Sequence, residues 1–339
     1  MKAWVLERQG PVSGHPLQLR QRSIPQPGPG EVRLRVATCG VCHTDLHVVE
    51  GDLAAATLPV VPGHQIVGYV DALGPGSEAR LPAGVVPGGR AGLPWLYQAC
   101  GHCEYCLRGE ENLCEAPRFT GYHVDGGYAE YVVAPAENLV ALPGRYPDIE
   151  AAPLLCAGII GYRSLRVAGV RPGQRLALFG FGASAHLTLQ VAAAWGCEVL
   201  VFSRQEAHRR MALQLGAVWA GEAGQAPPFL ADAAITFAPA GSLVPAALGV
   251  LRRGGTLAIN AVHMDAIPSF AYDRLYWERR IVSVANATRR DAAEWMALAG
   301  RIPLQVHAEA VAFERANEAL QRLSRAQVEG ALVLEVGGR

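Results

Sequence analysis

The sequence predicts an α/β protein built from a β-rich body and a doubly wound parallel sheet. Three observations carry this. The first third alternates apolar and polar residues in short runs broken by Gly and Pro. From Gly173 onward, continuous apolar runs alternate with helix-like segments. A glycine-rich turn, Gly180-Phe181-Gly182-Ala183-Ser184-Ala185, sits where one such run passes into a helix. A length of 339 residues suits two domains of ordinary size.

In the first region Leu17 and Leu19, then Val32, Leu34 and Val36, alternate with polar residues as half-buried strands do. The run from Pro25 to Gly30 marks a turn between them. Further strands are expected in IVGYVDALG, YAEYVVAP and NLVALP. A helix is expected after Pro153. In the later region Leu176–Phe179, then EVLVFSR, AAITFA, TLAINAV and RIVSVAN, read as the parallel strands. The C-terminal stretch reads helix (AAEWMALAG), strand (QVHAEAVAF), helix (RANEALQRLSRAQ) and strand (GALVLEV), and is expected to return to the first domain. The expected division is therefore residues 1–152 with 291–339, around an inserted 153–290.

Composition narrows the function. Half the residues are apolar, 18% are charged and the formal net charge is zero, which favours neither nucleic acid nor an anionic surface. No signal-peptide core and no apolar run of about 18 residues appears, so a soluble cytoplasmic protein is expected. Eight cysteines in such a chain point to metal binding or catalysis rather than disulfides.

The cysteines fall into two patterns. Cys100, Cys103, Cys106 and Cys114 follow C-x2-C-x2-C-x7-C in one short lobe, about residues 94–116. Four thiolates close a tetrahedral shell around Zn²⁺ with no open position, as structural sites do. Cys42 and His64 offer two ligands of an open, catalytic site, and Cys156 is the candidate third.

The glycine-rich turn has the form G-x-G-x-x-A. Gly180 permits a tight turn, Gly182 lets the backbone approach a pyrophosphate, and the small Ala185 lets the helix pack on its strand. The helix N-terminus then faces the phosphates. The next strand ends at Ser203 and Arg204, where a carboxylate would bind the ribose of NAD. A hydroxyl and a guanidinium suit a 2′-phosphate, so NADP(H) is favoured, with NAD(H) the alternative.

With VCHTD, the Gly63-His64 pair, the four-cysteine lobe, LCAGI and the dinucleotide turn in place, the chain resembles the zinc-dependent medium-chain alcohol dehydrogenases over nearly its whole length. The resemblance implies a GroES-like catalytic domain, a Rossmann domain, two zinc ions per chain and a homodimer or homotetramer. It implies that Cys42, His64 and Cys156 hold a catalytic zinc and that the lobe cysteines hold a structural one. It places Thr44 and His47 on a proton route, His43 at the cofactor pyrophosphate, and Asp45 behind the ring of His64. Trp95 and Leu53 would line the substrate pocket, and Arg289 or Arg290 would reach the pyrophosphate. Cys39 and Cys197 match no ligand and read as buried thiols. The chain departs from the family at Gln65, where glutamate is usual, at Leu53, where some relatives carry an aromatic, and at Ile160, where many carry threonine. The expected activity links primary alcohols and aldehydes. A polyol dehydrogenase and a non-catalytic zinc-stabilised binding protein are the alternatives.

Overall fold

The computed structural model describes residues 1–53 and 57–337. These divide into two compact units: Met1–Cys156 with Asn286–Arg301 and Val306–Arg339, and Ala157–Ala285 with Ile302–Gln305.

The first unit is β-rich. Strand Glu31–Val41 is its spine, flanked by Gln65–Leu73 and Ala331–Glu335, both antiparallel to it. Arg90–Leu93 extends the sheet beyond Gln65–Leu73, and Ala308–Ala312 runs parallel to Ala331–Glu335 at the other side. Tyr131–Pro135 pairs with the first half of the spine, and Lys2–Leu6 forms a separate ribbon with Leu17–Gln21. Alternation in the sequence becomes alternation in burial: Val32, Leu34 and Val36 are buried while Arg33 and Arg35 are not. The C-terminal half of the spine, Val36–Val41, is buried throughout, so both of its faces are covered.

NLVALP does not form the expected strand. Ala136–Asn138 is a turn of 3₁₀ helix, and only Val140 bridges to Gly92. Pro143 follows and cannot donate to a ladder, so the run stays a covering segment. The helix expected after Pro153 begins earlier, at Asp148. Pro153 lies inside it, and the chain widens into a π-helical turn, Leu154–Gly158, before regular helix resumes at Ile159–Val167. Proline lacks the N–H that a continuous α-helix needs, and a widened turn accommodates the lost bond.

The second unit holds a six-stranded sheet in the order Trp219–Gly221, Glu198–Phe202, Arg175–Phe179, Ala231–Thr236, Leu251–Ile259, Arg280–Ser283. Every pairing is parallel. The chain starts in the middle, winds outward on one side and then on the other, so the order reverses beside Arg175–Phe179. That is the doubly wound arrangement, with its ligand crevice at the carboxyl ends of the strands flanking the reversal. Leu176–Phe179 and Val199–Val201 are fully buried, as strands covered on both faces must be.

Candidate active site

Two strand ends build the first centre. The spine ends at Val41, and Cys42 caps the helix His43–Glu50 that follows. Gln65, immediately after His64, pairs with Gly40 across the sheet. The register therefore brings Cys42 and His64 to the same end of the same two strands. Close approach is possible because residue 40 is glycine: a Cβ there would lie 2.5 Å from Oε1 of Gln65. Cys156 arrives separately, in the widened turn.

The three ligand atoms converge within 4.8 Å of one another. Nε2 of His64 lies 3.5 Å from Sγ of Cys42 and 3.4 Å from Sγ of Cys156. His64 is fully buried, and its other ring nitrogen, Nδ1, is 3.0 Å from Oδ1 of Asp45. Asp45 is buried too and accepts N–H bonds from Gly63 and Cys42. The backbone N–H of Thr44 donates to Sγ of Cys42.

Charge is arranged to match. The neighbouring thiol of Cys156 and the His64 ring hold Cys42 well below the usual thiol range, against the opposing effect of burial. Its charge, together with burial, pushes Cys156 up. Burial disfavours a charged His64, but Asp45 and Cys42 outweigh it and raise the ring to about 10. A buried thiolate facing a protonated ring and a second thiol is a charge pattern that a divalent cation replaces. Two sulfurs and one imidazole nitrogen, with the imidazole oriented by a carboxylate, suit zinc and leave its fourth position open.

The second cluster lies in the lobe. The sulfurs of Cys100, Cys103, Cys106 and Cys114 also gather within 4.8 Å. Backbone N–H groups of Cys100, Cys103 and Ala116 donate to these sulfurs. Backbone N–H bonds hold Cys103 down to about 6. Four sulfurs with donors aimed at them fit a closed zinc shell. The lobe is docked by its own residues: buried Glu111 accepts from the N–H and Nε of Arg289, and the carbonyl of Asn112 accepts from Asn286. Arg289 is thus committed to Glu111, and Arg290 pairs with Glu294.

Of the other residues expected here, Trp95 packs edge-on to His64, with ring centroids 4.9 Å apart, and stacks on Phe119. His47 stands at the end of its helix with Nδ1 2.7 Å from Asp52. His43 is exposed at the start of that helix. Leu53 is partly buried against the core of the first unit. Cys39 and Cys197 are buried. Gln65 is buried with Oε1 unpaired.

In the second unit Gly180 follows strand Arg175–Phe179 at φ +83°, and a Cβ there would meet Ala238 at 2.9 Å. Gly182 precedes the helix Ala183–Ala194, and Ala185, in its first turn, is fully buried. Ser203 and Arg204 follow Glu198–Phe202. Ser203 is nearly buried, its Oγ 3.4 Å from Nδ1 of His208, whereas Arg204 is exposed. Arg209 bonds to the carbonyls of Ser203 and Arg204 and to Glu222, and Glu206 pairs with Arg210. Asp52, Asn286, Glu111 and Glu222 were not singled out by the sequence, and Arg209 stood out there only as a basic residue behind the strand end. Only the tertiary structure shows their partners.

A β-rich unit with an open Cys-His-Cys centre and a closed four-cysteine lobe, joined in one chain to a doubly wound sheet with a dinucleotide turn, defines a zinc-dependent dehydrogenase. Residues 28–144 match the alcohol dehydrogenase GroES-like domain. The chain is 47% identical to a probable alcohol dehydrogenase, AdhA, of Mycobacterium tuberculosis, over 98% of this chain and 97% of that protein. It is 35% identical to an alcohol dehydrogenase of Geobacillus stearothermophilus, over 99% of this chain and 100% of the relative. Among solved structures, a cinnamyl alcohol dehydrogenase of Sorghum bicolor superposes with a TM-score of 0.89 at 28% identity, covering 99% of this chain and 98% of that one. A cobalt- and zinc-bound alcohol dehydrogenase of Pyrobaculum aerophilum gives 0.86 at 28% identity, with 99% of both chains covered. The chain belongs to the zinc-dependent medium-chain alcohol dehydrogenase family and is an NAD(P)-dependent oxidoreductase. Among the described residues no helix is long and apolar enough to cross a membrane.

Proposed function

We propose that the protein is an NADP(H)-preferring alcohol dehydrogenase and aldehyde reductase for primary alcohols. The observation that carries the cofactor preference is the end of strand Glu198–Phe202, where Ser203 and Arg204 stand in place of a carboxylate. Arg204 is exposed and free of the Arg209–Glu222 pair, so its guanidinium suits the 2′-phosphate. Arg209, by bonding both carbonyls at this turn, holds Ser203 and Arg204 in place. Gly180, Gly182 and Ala185 shape the pyrophosphate turn, and His43 is a further candidate contact for that group.

In this reading Cys42, His64 and Cys156 hold the catalytic zinc, and Cys100, Cys103, Cys106 and Cys114 hold the structural one. The catalytic ion supplies Lewis acidity, which lowers the pKa of an alcohol or polarises a carbonyl. The protein does the rest. Asp45 accepts the Nδ1 proton of His64, which fixes the tautomer whose Nε2 lone pair points between the two sulfurs. Thr44, two residues from a ligand, offers a hydroxyl that receives the substrate proton. His47 carries it towards solvent, and Asp52 orients its ring. Trp95 walls one side of the His64 ring, and Leu53, if it lines the pocket as proposed, leaves more room there than an aromatic would.

The cofactor domain, expected at 153–290 and compact over Ala157–Ala285 with Ile302–Gln305, interrupts the GroES-like domain in this reading, and the enzyme works as a homodimer or homotetramer. Eight unpaired cysteines, six of them in metal clusters, suit the reducing cytoplasm. A panel of alcohols and aldehydes assayed with both cofactors tests the proposal. Turnover of primary alcohols with a lower KM for NADP⁺ than for NAD⁺ is expected. A preference for NAD⁺ overturns the cofactor assignment, and a preference for polyols overturns the substrate assignment.

A further inference from the structure

The indole of Trp95 is held at both ends. Its face stacks on Phe119, with ring planes 9° apart, and its backbone carbonyl accepts from Thr120. Its Nε1–H donates to Oδ1 of Asn286 at 3.1 Å. Asn286 is 191 positions away in sequence yet belongs to the same compact unit. It adopts φ +51°, a conformation that Asn tolerates and most side chains do not. Its own Nδ2 donates to the carbonyl of buried Asn112 in the four-cysteine lobe. Three residues on, the lobe's Glu111 accepts from the N–H of Arg289, at the start of helix Arg289–Arg301. A side chain at an unusual backbone angle therefore spans from the lobe to the indole that touches His64.

We propose that Asn286 is a positioning residue: it fixes the plane of Trp95 against His64 and thereby sets the size of alcohol admitted on that side of the metal centre. The Nε1–H is the only polar handle of the indole. With that bond gone, stacking on Phe119 and Tyr122 still holds the ring faces, but the Nε1 edge is no longer pinned and the side-chain torsions can shift. The indole is partly exposed, so its free edge would swing into the space beside His64. The consequence falls on substrate fit and not on the metal, whose ligands Asn286 does not touch. The inference rests on the functional reading above, since it needs a substrate at this centre.

The test compares Asn286→Gly, Asn286→Asp and Trp95→Phe in the full-length zinc-loaded protein. Glycine accepts the backbone angle but breaks both side-chain bonds. Aspartate keeps an acceptor for Nε1–H. In Asn286→Gly the KM for ethanol is expected to rise about tenfold, the order of one lost hydrogen bond, with kcat within about twofold. The discrimination between ethanol and benzyl alcohol should shrink, and zinc should stay at the wild-type content. The near-UV circular dichroism band assigned to Trp95, taken as wild type minus Trp95→Phe, should vanish. Asn286→Asp should restore the band and return the ethanol KM to within about threefold of wild type. Unchanged KM and band in Asn286→Gly would overturn the proposal, as would equal defects in the Gly and Asp variants. If the wild type oxidises no alcohol with either cofactor, the functional reading fails, and the band alone then decides whether Asn286 positions Trp95.

Discussion

Asp45 and His64 form a buried pair, carboxylate to imidazole at 3.0 Å, and Asp45 also accepts the N–H of Cys42. One carboxylate thus orients two metal ligands, one through its ring and one through its backbone. Asp45→Asn keeps the shape, removes the charge and leaves one of these donors facing an amide NH₂. Zinc affinity should fall about 10- to 100-fold, read as faster loss to a competing chelator with activity lost in parallel. Zinc retained at the wild-type rate would show that the pair is not what orients the ligand.

The two cysteine clusters should fail differently. Cys42→Ser should reduce zinc from two ions per chain to one and abolish turnover with little change in melting temperature. Cys103→Ser should also leave one ion. Its chief effect should be a lower melting temperature, because closed zinc sites contribute folding energy directly. Metal analysis with calorimetry separates the two. A wild type containing a single zinc would remove one of the assignments.

Cofactor preference should respond to one side chain. Arg204→Asp replaces the exposed guanidinium at the strand end with a carboxylate. The ratio of kcat/KM for NADP⁺ over NAD⁺ should drop about 10- to 100-fold, as expected for a lost charge-assisted hydrogen bond. An unchanged ratio would mean that the 2′-phosphate is read elsewhere.

The register that joins the first two ligands depends on Gly40. Gly40→Ala puts a Cβ against Oε1, Cδ and Cβ of Gln65. Gln65 is buried and cannot swing to solvent, so overpacking should cost about 1–3 kcal/mol. Chemical denaturation reads this as a lower midpoint with an unchanged slope. Adding Gln65→Ala should recover part of the loss, because the far end of the clashing side chain is removed. No recovery would place the strain in the backbone.

Much of the site was legible because its chemistry restricts residue types. Thiolates at metal spacing, and glycines where a turn must be tight, leave few alternatives at Cys42, Cys100 or Gly180. The alternating and continuous apolar runs likewise reported which strands are covered on one face or two. What stayed hidden were pairings that only the tertiary structure creates. Glu111 meets Arg289 across 178 positions, and Asn286 meets Trp95 across 191; nothing local marks either acid or amide as special. Asp52 lies just past a helix end, where the chain direction and not the spacing decides that it reaches His47. NLVALP has strand-like composition, but a strand needs a free ladder edge, and one bridge to Gly92 is all this segment obtains.

The late arrival of Cys156 has a consequence for how the enzyme matures. Cys42 and His64 are 22 positions apart and are brought together by one strand pair, whereas Cys156 joins His64 across 92 positions. Closing the longer loop costs more chain entropy, so a nascent chain presents a two-ligand fragment before it presents the full set. Such a fragment holds zinc weakly, and tight uptake waits for the widened turn to dock. Retained metal at this centre therefore reports that the widened turn carrying Cys156 has docked.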